Sequence, residues 1–158
     1  ISWPGKFDGD QRISQAVSNV DAVATILELA GIDIAKLNLD GHSLVNALNG
    51  NTLGLHDIAI SEHFAHGTDR AMGMVRSDNW KLCYGHGSPP ELELYDLTAD
   101  PNEFNNLANS PEHLTTQNRL LKILLDQWGD PDLLTARIIQ DQEEREIIRN
   151  VTGIGTIF

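Results

Sequence analysis

The stretch that decides the fold reads Arg76-Ser77-Asp78-Asn79-Trp80-Lys81-Leu82, then Glu91-Leu92-Glu93-Leu94-Tyr95-Asp96-Leu97, then Asp100-Pro101-Asn102-Glu103 and Asn106-Leu107. Trp80, Leu82 and Tyr84 alternate with Lys81 and Cys83, as in a β-strand with one apolar face. The brief connection at residues 77–79 favours an antiparallel hairpin. Asp100 before Pro101 favours a turn, because an Asp side chain hydrogen-bonds the backbone that follows it.

The alternation of apolar and polar residues, with a period of two, extends over the neighbouring sequence and predicts four strands in all. The other strands lie around Ile58 and Ile60, around Met72 and Met74, and around Leu92 and Leu94. Ser110-Pro111 then predicts the start of a helix, which ends at Gly129. The apolar face of that helix would cover the sheet and so form an α+β unit; it consists of Leu114, Leu120, Leu121, Leu124, Leu125 and Trp128.

The first fifty residues have a different pattern. Ile1-Ser2-Trp3, stopped by Pro4-Gly5, is typical of the end of a strand. Helical spacing follows, with Asp21 as the expected N-cap and Gly31 as the expected stop. The apolar face of this helix comprises Val20, Val23, Ile26, Leu27 and Ala30. A second, short helix is predicted from Ser43 to Leu48.

Residues 131–150 are good helix formers with an interrupted apolar stripe, and the run from Gln140 to Arg145 is strongly polar. A terminal helix partly in solvent accounts for this pattern. The alternative is a tail that packs on another surface, including that of a second subunit of a homo-oligomer.

Composition excludes several classes of function. The chain has 158 residues and a formal charge of −12, which argues against nucleic acid, since phosphates demand basic patches. No apolar run approaches the roughly 18 residues that span a bilayer. The single Cys83 excludes an internal disulfide and a multi-cysteine metal site.

The stretch quoted first resembles the closing segment of sulfatases, in which an arginine-led strand with Trp-Lys precedes Leu-Tyr-Asp-Leu, Asp-Pro-x-Glu and Asn-Leu. A second match follows the same family in order, through Trp3-Pro4-Gly5, Val20-Asp21, Thr25-Ile26-Leu27, Ala30-Gly31 and Leu39-Asp40-Gly41-x-Ser43-Leu44. The tail is more similar to the choline-sulfatase side of the family than to other arylsulfatases.

This resemblance implies the alkaline phosphatase superfamily and an α/β fold with an α+β C-terminal part. Residues 1–54 would be the end of the large α/β domain. Residues 55–129 would form a small four-stranded antiparallel sheet packed on a long helix, and residues 130–158 a helical tail. An opening at Ile1 rather than Met predicts a start inside a longer protein.

For the parent enzyme, the resemblance implies a formylglycine made from Cys or Ser in a Cys/Ser-x-Pro/Ala-x-Arg motif, and a calcium ion. Cys83 stands in Leu82-Cys83-Tyr84-Gly85-His86, which lacks the proline and the arginine of that motif. We therefore expect no catalytic residue, no metal ligand and no cofactor in this chain. The expected partners are an upstream catalytic part of the same protein and, in the parent, a sulfate-ester small molecule or sugar.

Four residues after the first predicted strand are the candidates for substrate binding: Glu62, His63, His66 and Arg70. Imidazoles and a guanidinium suit an anionic or hydroxylated substrate, and the resemblance implies a place at the rim of the pocket. A polar surface loop is the alternative. The two histidines make weak zinc ligands because further ligands are not evident.

The sequence therefore predicts the C-terminal portion of a sulfatase, which supports the fold and the pocket rim but is inactive by itself. One alternative is part of a phosphodiesterase or phosphonate monoester hydrolase of the same superfamily. The other is a non-catalytic interaction module with an acidic surface.

Overall fold

The computed structural model describes residues 1–7, 9–51, 55–64 and 67–153. The chain divides into two compact units, Ile1–Ala59 and Ile60–Phe158. No helix of the described residues is long and apolar enough to cross a membrane.

The sheet has four strands in the order β1-β2-β3-β4. They are β1 (Ile58–His63), β2 (Met72–Ser77), β3 (Trp80–Gly85) and β4 (Glu91–Asp96). The pairs β2–β3 and β3–β4 are antiparallel, and Ser77 faces Trp80 across the predicted tight hairpin. Asp78 in this turn adopts a φ of 54°, a left-handed conformation that Asp tolerates better than most residues. The four predicted strands are confirmed.

Helix α3 (Leu114–Trp128) covers one face of the sheet. Val75, Leu82 and Leu94 are partners in register and are completely buried on this face. Leu120 and Leu124 of α3 pack on them. Helix and sheet approach so closely that a Cβ at Gly73 would lie 2.6 Å from the Trp128 ring, so this position requires glycine.

The motif residues after β4 hold the edge of the sheet through side-chain hydrogen bonds. Asp96 Oδ1 accepts from Asn79 Nδ2 at 2.6 Å, which joins the end of β4 to the β2–β3 turn. Asn106 accepts from the Leu94 amide at 3.0 Å and donates to the Leu92 carbonyl at 3.0 Å. Asp100 accepts from the Asn105 amide. The Asp-Pro-x-Glu motif therefore forms a turn, whereas the Asn-Leu motif pairs with the backbone of β4.

Helix α4 (Pro131–Thr152) begins at Asp130, whose side chain accepts from the amide of Asp132. Its first half packs on its own unit, with Ile138 buried and Thr135 accepting from the Ala71 amide at 3.3 Å. Its second half keeps three large apolar side chains exposed: Ile147, Ile148 and Val151.

The first unit contains α1 (Val20–Leu29), a 3₁₀ turn (Ile34–Lys36) and α2 (Val45–Leu48). Asp21 is not the N-cap, as the sequence suggested; the N-cap is Asn19, and Asp21 lies buried in the first turn. Ile1-Ser2-Trp3 forms no strand; a strand needs a paired neighbour, and the structure describes none beside these residues.

Thr25 and Asp21 hold the loop at residues 41–44 against α1. The amide of His42 donates to Asp21 Oδ1 at 2.9 Å, and the amide of Leu44 donates to Thr25 Oγ1 at 2.9 Å. A Cβ at Gly41 would lie 2.2 Å from the Val20 carbonyl oxygen. The Asp-Gly-x-Ser motif therefore has a structural role, since glycine lets this loop reach the helix backbone.

Candidate functional site

Glu62 and His63 are neighbours in β1, and adjacent side chains of a strand point to opposite faces. Glu62 Oε1 accepts from Trp128 Nε1 at 2.7 Å and from Gln127 Nε2 at 3.0 Å, so it faces the end of α3. His63 consequently belongs to the face away from α3. The structure thus separates two residues that the sequence places together.

Both residues nevertheless line one cleft of about 270 Å³ on the sheet. Met74, Cys83 and Glu93 are register partners across β2, β3 and β4, and their side chains share the wall of this cleft. Among the described residues, the cleft is lined by Ser61, Glu62, His63, Met72, Gly73, Met74, Cys83, Tyr84, Gly85, Glu91 and Glu93.

The cleft carries acidic groups on a mostly apolar lining. Glu62, Glu91 and Glu93 contribute carboxylates, whereas His63 is the one described side chain of this lining that can carry positive charge. Such a charge distribution repels a sulfate group, although carboxylates accept hydrogen bonds readily from hydroxyl groups. Burial raises the pKa of the Cys83 thiol, and the charge of Lys81 only partly opposes this shift. Cys83 is therefore protonated at neutral pH, a poor nucleophile.

Arg70 lies beside a second cleft and is engaged by two carboxylates. Its Nε donates to Asp69 Oδ1 at 2.9 Å, and its Nη1 donates to Glu91 Oε1 at 3.0 Å. Asp69, followed by Glu91, raises the pKa of the Arg70 guanidinium above its usual value, and Arg70 lowers the pKa of the Asp69 carboxyl. An anion would have to displace these partners to bind Arg70.

His86 and Asp132 line the second cleft, of about 760 Å³, and form a polar chain with Tyr84 of the first cleft that the sequence did not reveal. Tyr84 Oη lies 2.8 Å from His86 Nδ1, and His86 Nε2 lies 2.7 Å from Asp132 Oδ1. Burial, followed by the charge of Asp132, raises the pKa of the Tyr84 hydroxyl. His86 is 46 residues from Asp132, so no local spacing signals the pair.

Of the four sequence-predicted residues, Glu62 and His63 line the first cleft and Arg70 lines the second. Glu91 lines both clefts. His66 lies outside the described residues. A joint substrate-binding role for the four stays a prediction.

A third cluster lies within the first unit and consists of Asp21, His42 and His56. His56 Nε2 lies 3.0 Å from Asp21 Oδ1 and 2.8 Å from His42 Nδ1. Asp21 is completely buried, whereas His42 is exposed. Burial alone would raise the pKa of Asp21, but hydrogen bonds from the amides of Ser18 and His42 and from His56 lower it below its ordinary value. Sequence reasoning assigned His42 no such role.

These donor sets do not fit the cofactors that the sequence resemblance implies. Calcium takes six to eight oxygen ligands, whereas the cluster offers one carboxylate and two imidazoles. Cys83 lies in β3 without the proline and arginine of the modification motif.

Comparison with known proteins identifies the family. The family described as N-sulphoglucosamine sulphohydrolase, C-terminal, matches residues 1–130. The chain belongs to this family.

Curated relatives of this sulfatase C-terminal domain are themselves sulfatases. Arylsulfatase K of Xenopus laevis is 31% identical over 126 residues, which cover 73% of the chain and 23% of that protein. Choline-sulfatase of Rhizobium meliloti is 34% identical over 145 residues, which cover 89% of the chain and 28% of that protein. N-acetylglucosamine-6-O-sulfatase of Bacteroides thetaiotaomicron is 29% identical over an alignment of 160 residues, which covers 95% of the chain and 28% of that protein. The sulfatase C-terminal domain thus spans about a quarter of the length of these relatives.

Solved structures agree with the alkaline-phosphatase-like assignment. A 2-O GAG sulfatase matches with a TM-score of 0.58 and 27% identity, covering 78% of this chain and 25% of that one. The phosphonate monoester hydrolase of Agrobacterium radiobacter matches with a TM-score of 0.53 and 24% identity, covering 80% and 26%; this match concerns the fold alone. The sulfatase C-terminal domain is therefore an α+β unit of this superfamily.

Proposed function

We propose that the chain is the C-terminal part of a sulfate ester hydrolase whose nucleophile and calcium site lie in residues other than these 158. In this proposal the chain supports the fold and forms part of the pocket rim. The curated sulfatases that match it, each more than three times as long, support the assignment.

The observation that carries the proposal is the burial pattern of α1, in which large apolar side chains are exposed and polar ones are buried. Val20, Val23 and Ile26 are 45%, 54% and 65% exposed, whereas Asp21 and Thr25 are buried. Each large apolar side chain gains about 1.5–3 kcal/mol when it is buried. A stripe of such residues on a helix that hides its polar side requires a covering surface. The upstream part of the same protein is the partner we propose for it.

At the rim, we propose that Glu62, His63, His66 and Arg70 contact the uncharged part of the substrate. The carboxylates around His63 disfavour a sulfate group but suit sugar hydroxyls as hydrogen-bond acceptors. The relative that acts on N-acetylglucosamine-6-O-sulfate supports a sulfated sugar as the substrate class. The sulfate itself would be bound by the upstream part.

Because the donor sets described above fit neither calcium nor formylglycine, the proposal gives the described residues no step of the hydrolysis. Their proposed work is positioning. The sheet places the rim side chains, and α3 fixes Glu62 through the Trp128 hydrogen bond.

The test begins with the isolated chain, its mass of 17.4 kDa verified, on 4-nitrophenyl sulfate with calcium. We expect no hydrolysis, because no activated nucleophile is available. Turnover by a preparation free of other sulfatases would overturn the proposal. The polypeptide that includes the upstream part should hydrolyse the sulfate ester.

In that longer polypeptide, H63A and R70A should raise KM for a sulfated sugar and leave kcat nearly unchanged, as expected when binding contacts are lost. Lys122→Ala is the control, since Lys122 forms only an exposed pair with Asp126. Unchanged KM in both variants would contradict the rim assignment without affecting the sulfatase assignment.

Different results would favour the two alternative functions, a phosphonate monoester hydrolase and an interaction module. Hydrolysis of a phosphonate monoester in preference to a sulfate ester would favour a phosphonate monoester hydrolase, whose fold the chain shares. A folded chain that needs no upstream part would favour an interaction module. The exposed apolar side chains at the end of α4 support a further proposal, association through the tail in the parent protein.

A further inference from the structure

The Asp21–His42–His56 cluster places three potential metal-ligand atoms next to one another. Only one of the two nitrogens of a neutral imidazole carries a hydrogen. When His56 carries its hydrogen on Nδ1 and His42 carries its hydrogen on Nε2, the facing nitrogens His56 Nε2 and His42 Nδ1 present lone pairs 2.8 Å apart, and Asp21 Oδ1 lies 3.0 Å from His56 Nε2. Three electron-pair donors then converge on one point, which is the arrangement of a cation site.

The carboxylate does not need the imidazoles for its structural role. Asp21 Oδ2 accepts from the Ser18 amide at 2.7 Å, and Oδ1 accepts from the His42 amide at 2.9 Å. These two bonds already fix the side chain and fasten the loop to α1. The imidazoles of His42 and His56 are thus additional to the loop contact, and the carboxylate is oriented in advance by backbone donors, as metal-binding carboxylates commonly are.

We propose that Asp21, His42 and His56 bind one divalent transition-metal ion of the zinc class, through one carboxylate oxygen and two imidazole nitrogens. The exposed side of His42 leaves room for water as the fourth ligand. This site is independent of the sulfatase assignment.

The distances suit such an ion. With metal–ligand bonds of about 2.0–2.1 Å, neighbouring ligand atoms of a tetrahedral site lie about 3.3 Å apart. The observed separations of 3.0 Å and 2.8 Å therefore need to widen by roughly half an ångström, which rotation of two partly exposed rings supplies. Two nitrogens and one oxygen select zinc, cobalt, nickel or copper over calcium and magnesium, which prefer oxygen alone.

Metal at this site would join three segments of the first unit: the start of α1, the loop that carries His42, and His56. Asp21 is 21 residues from His42 and 35 from His56, so the ion would close two chain loops and stabilise the unit that exposes the apolar stripe. Because protons compete for the imidazole nitrogens, affinity should fall as the pH is lowered.

The experiment uses the 158-residue chain, treated with a chelator and dialysed. Zn²⁺ is titrated by calorimetry and Co²⁺ by visible absorption. We expect one ion per chain, intense Co²⁺ bands typical of four-coordination, and no comparable binding of Ca²⁺. H42Q and H56Q should each weaken Zn²⁺ binding at least about tenfold, since each removes one of three protein ligands.

His113→Gln is the matched control, because it also removes one imidazole, from the ring contact with Trp80; it should bind as the wild type does. A second measurement separates ligand loss from misfolding: Zn²⁺ should slow amide exchange in α1 of the wild type and of H113Q, but not of H56Q. Absence of stoichiometric binding in the wild type would overturn the proposal. So would equal affinities of H42Q, H56Q and H113Q.

Discussion

Individual side chains of the sulfatase motifs stabilise this fold by hydrogen bonds to backbone amides. Asp21 and Thr25 accept amide hydrogens of the loop at residues 41–44, and Gly41 leaves the space that this contact requires. The sequence indicated that Asp21 belongs at the start of a helix. It could not indicate that the partner is a loop twenty residues away, because that contact depends on tertiary structure alone.

The first prediction concerns Asp21→Asn. The change puts an amide NH₂ group against backbone donors, and we expect a loss of about 1–3 kcal/mol of unfolding free energy at pH 7. Because the folded pKa of Asp21 is lowered from 3.8, the Asp21 contribution is complete above that value and disappears as the pH falls through the folded pKa.

Urea unfolding of the wild type and the variant at pH 7 and at pH 2.5, with a chelator present, measures this difference. The difference in unfolding free energy between the wild type and the variant should be smaller at pH 2.5. Asp33→Asn is the control: Asp33 is exposed and accepts from the Ala35 amide, as Asn also does. A difference that grows at low pH would contradict the account.

The second prediction concerns Cys83. Burial raises the pKa of its thiol, and the thiolate is the reactive form. At pH 7.5 we expect iodoacetamide to alkylate the folded chain at least about tenfold more slowly than the chain unfolded in urea, as measured by mass spectrometry. Equal rates would mean that Cys83 lies in an open, polar environment.

At the scale of elements, period two and helical spacing predicted β1–β4 and α3 well, because each element has one continuous apolar face against the same core. For α1 the same reasoning located the helix but not its buried side. The sequence located the apolar stripe of Val20, Val23 and Ile26 but not its surroundings: the structure leaves this stripe exposed and buries Asp21, Ala24 and Thr25. Periodicity identifies the face that needs cover, but not the surface that covers it.

The candidate site was less predictable than the elements. The sequence placed Glu62 and His63 after the first strand, whereas both lie within β1. It gave no account of Trp128, 66 residues from Glu62, which determines where Glu62 points. Similarly, Arg70 suited an anion by residue type, whereas its pairing with Asp69 and Glu91 emerged only from the fold.

The third prediction tests the contact between α3 and the sheet. Gly73→Ala would place a methyl group 2.6 Å from the Trp128 ring and 3.0 Å from Leu124. We expect a loss of about 1–3 kcal/mol, the usual effect of overpacking a core. Urea unfolding followed by the fluorescence of Trp128 and Trp80 measures this loss.

Gly9→Ala is the matched control, because a Cβ at Gly9 meets nothing within 4 Å. This variant should unfold as the wild type does. If Gly73→Ala behaved in the same way, the close packing of α3 on β2 would be contradicted.

At the scale of the molecule, the two units differ in whether large apolar side chains close into a core. The second unit has a closed core in which Leu82, Leu94, Leu120 and Leu124 have no exposed surface. The first unit exposes large apolar side chains in α1 and around it. This contrast is the physical basis for our proposal that the first unit completes its core with the upstream part of a sulfatase.

Hydrogen exchange of the isolated chain, with a chelator present and mass-spectrometric readout of each segment, tests that proposal most directly. Amides exchange slowly only where local opening is rare. We predict rapid exchange throughout residues 1–31 and slow exchange in β2, β3, β4 and α3. Protection of α1 as strong as that of β3 would contradict the account, since the first unit would then be stable without a partner.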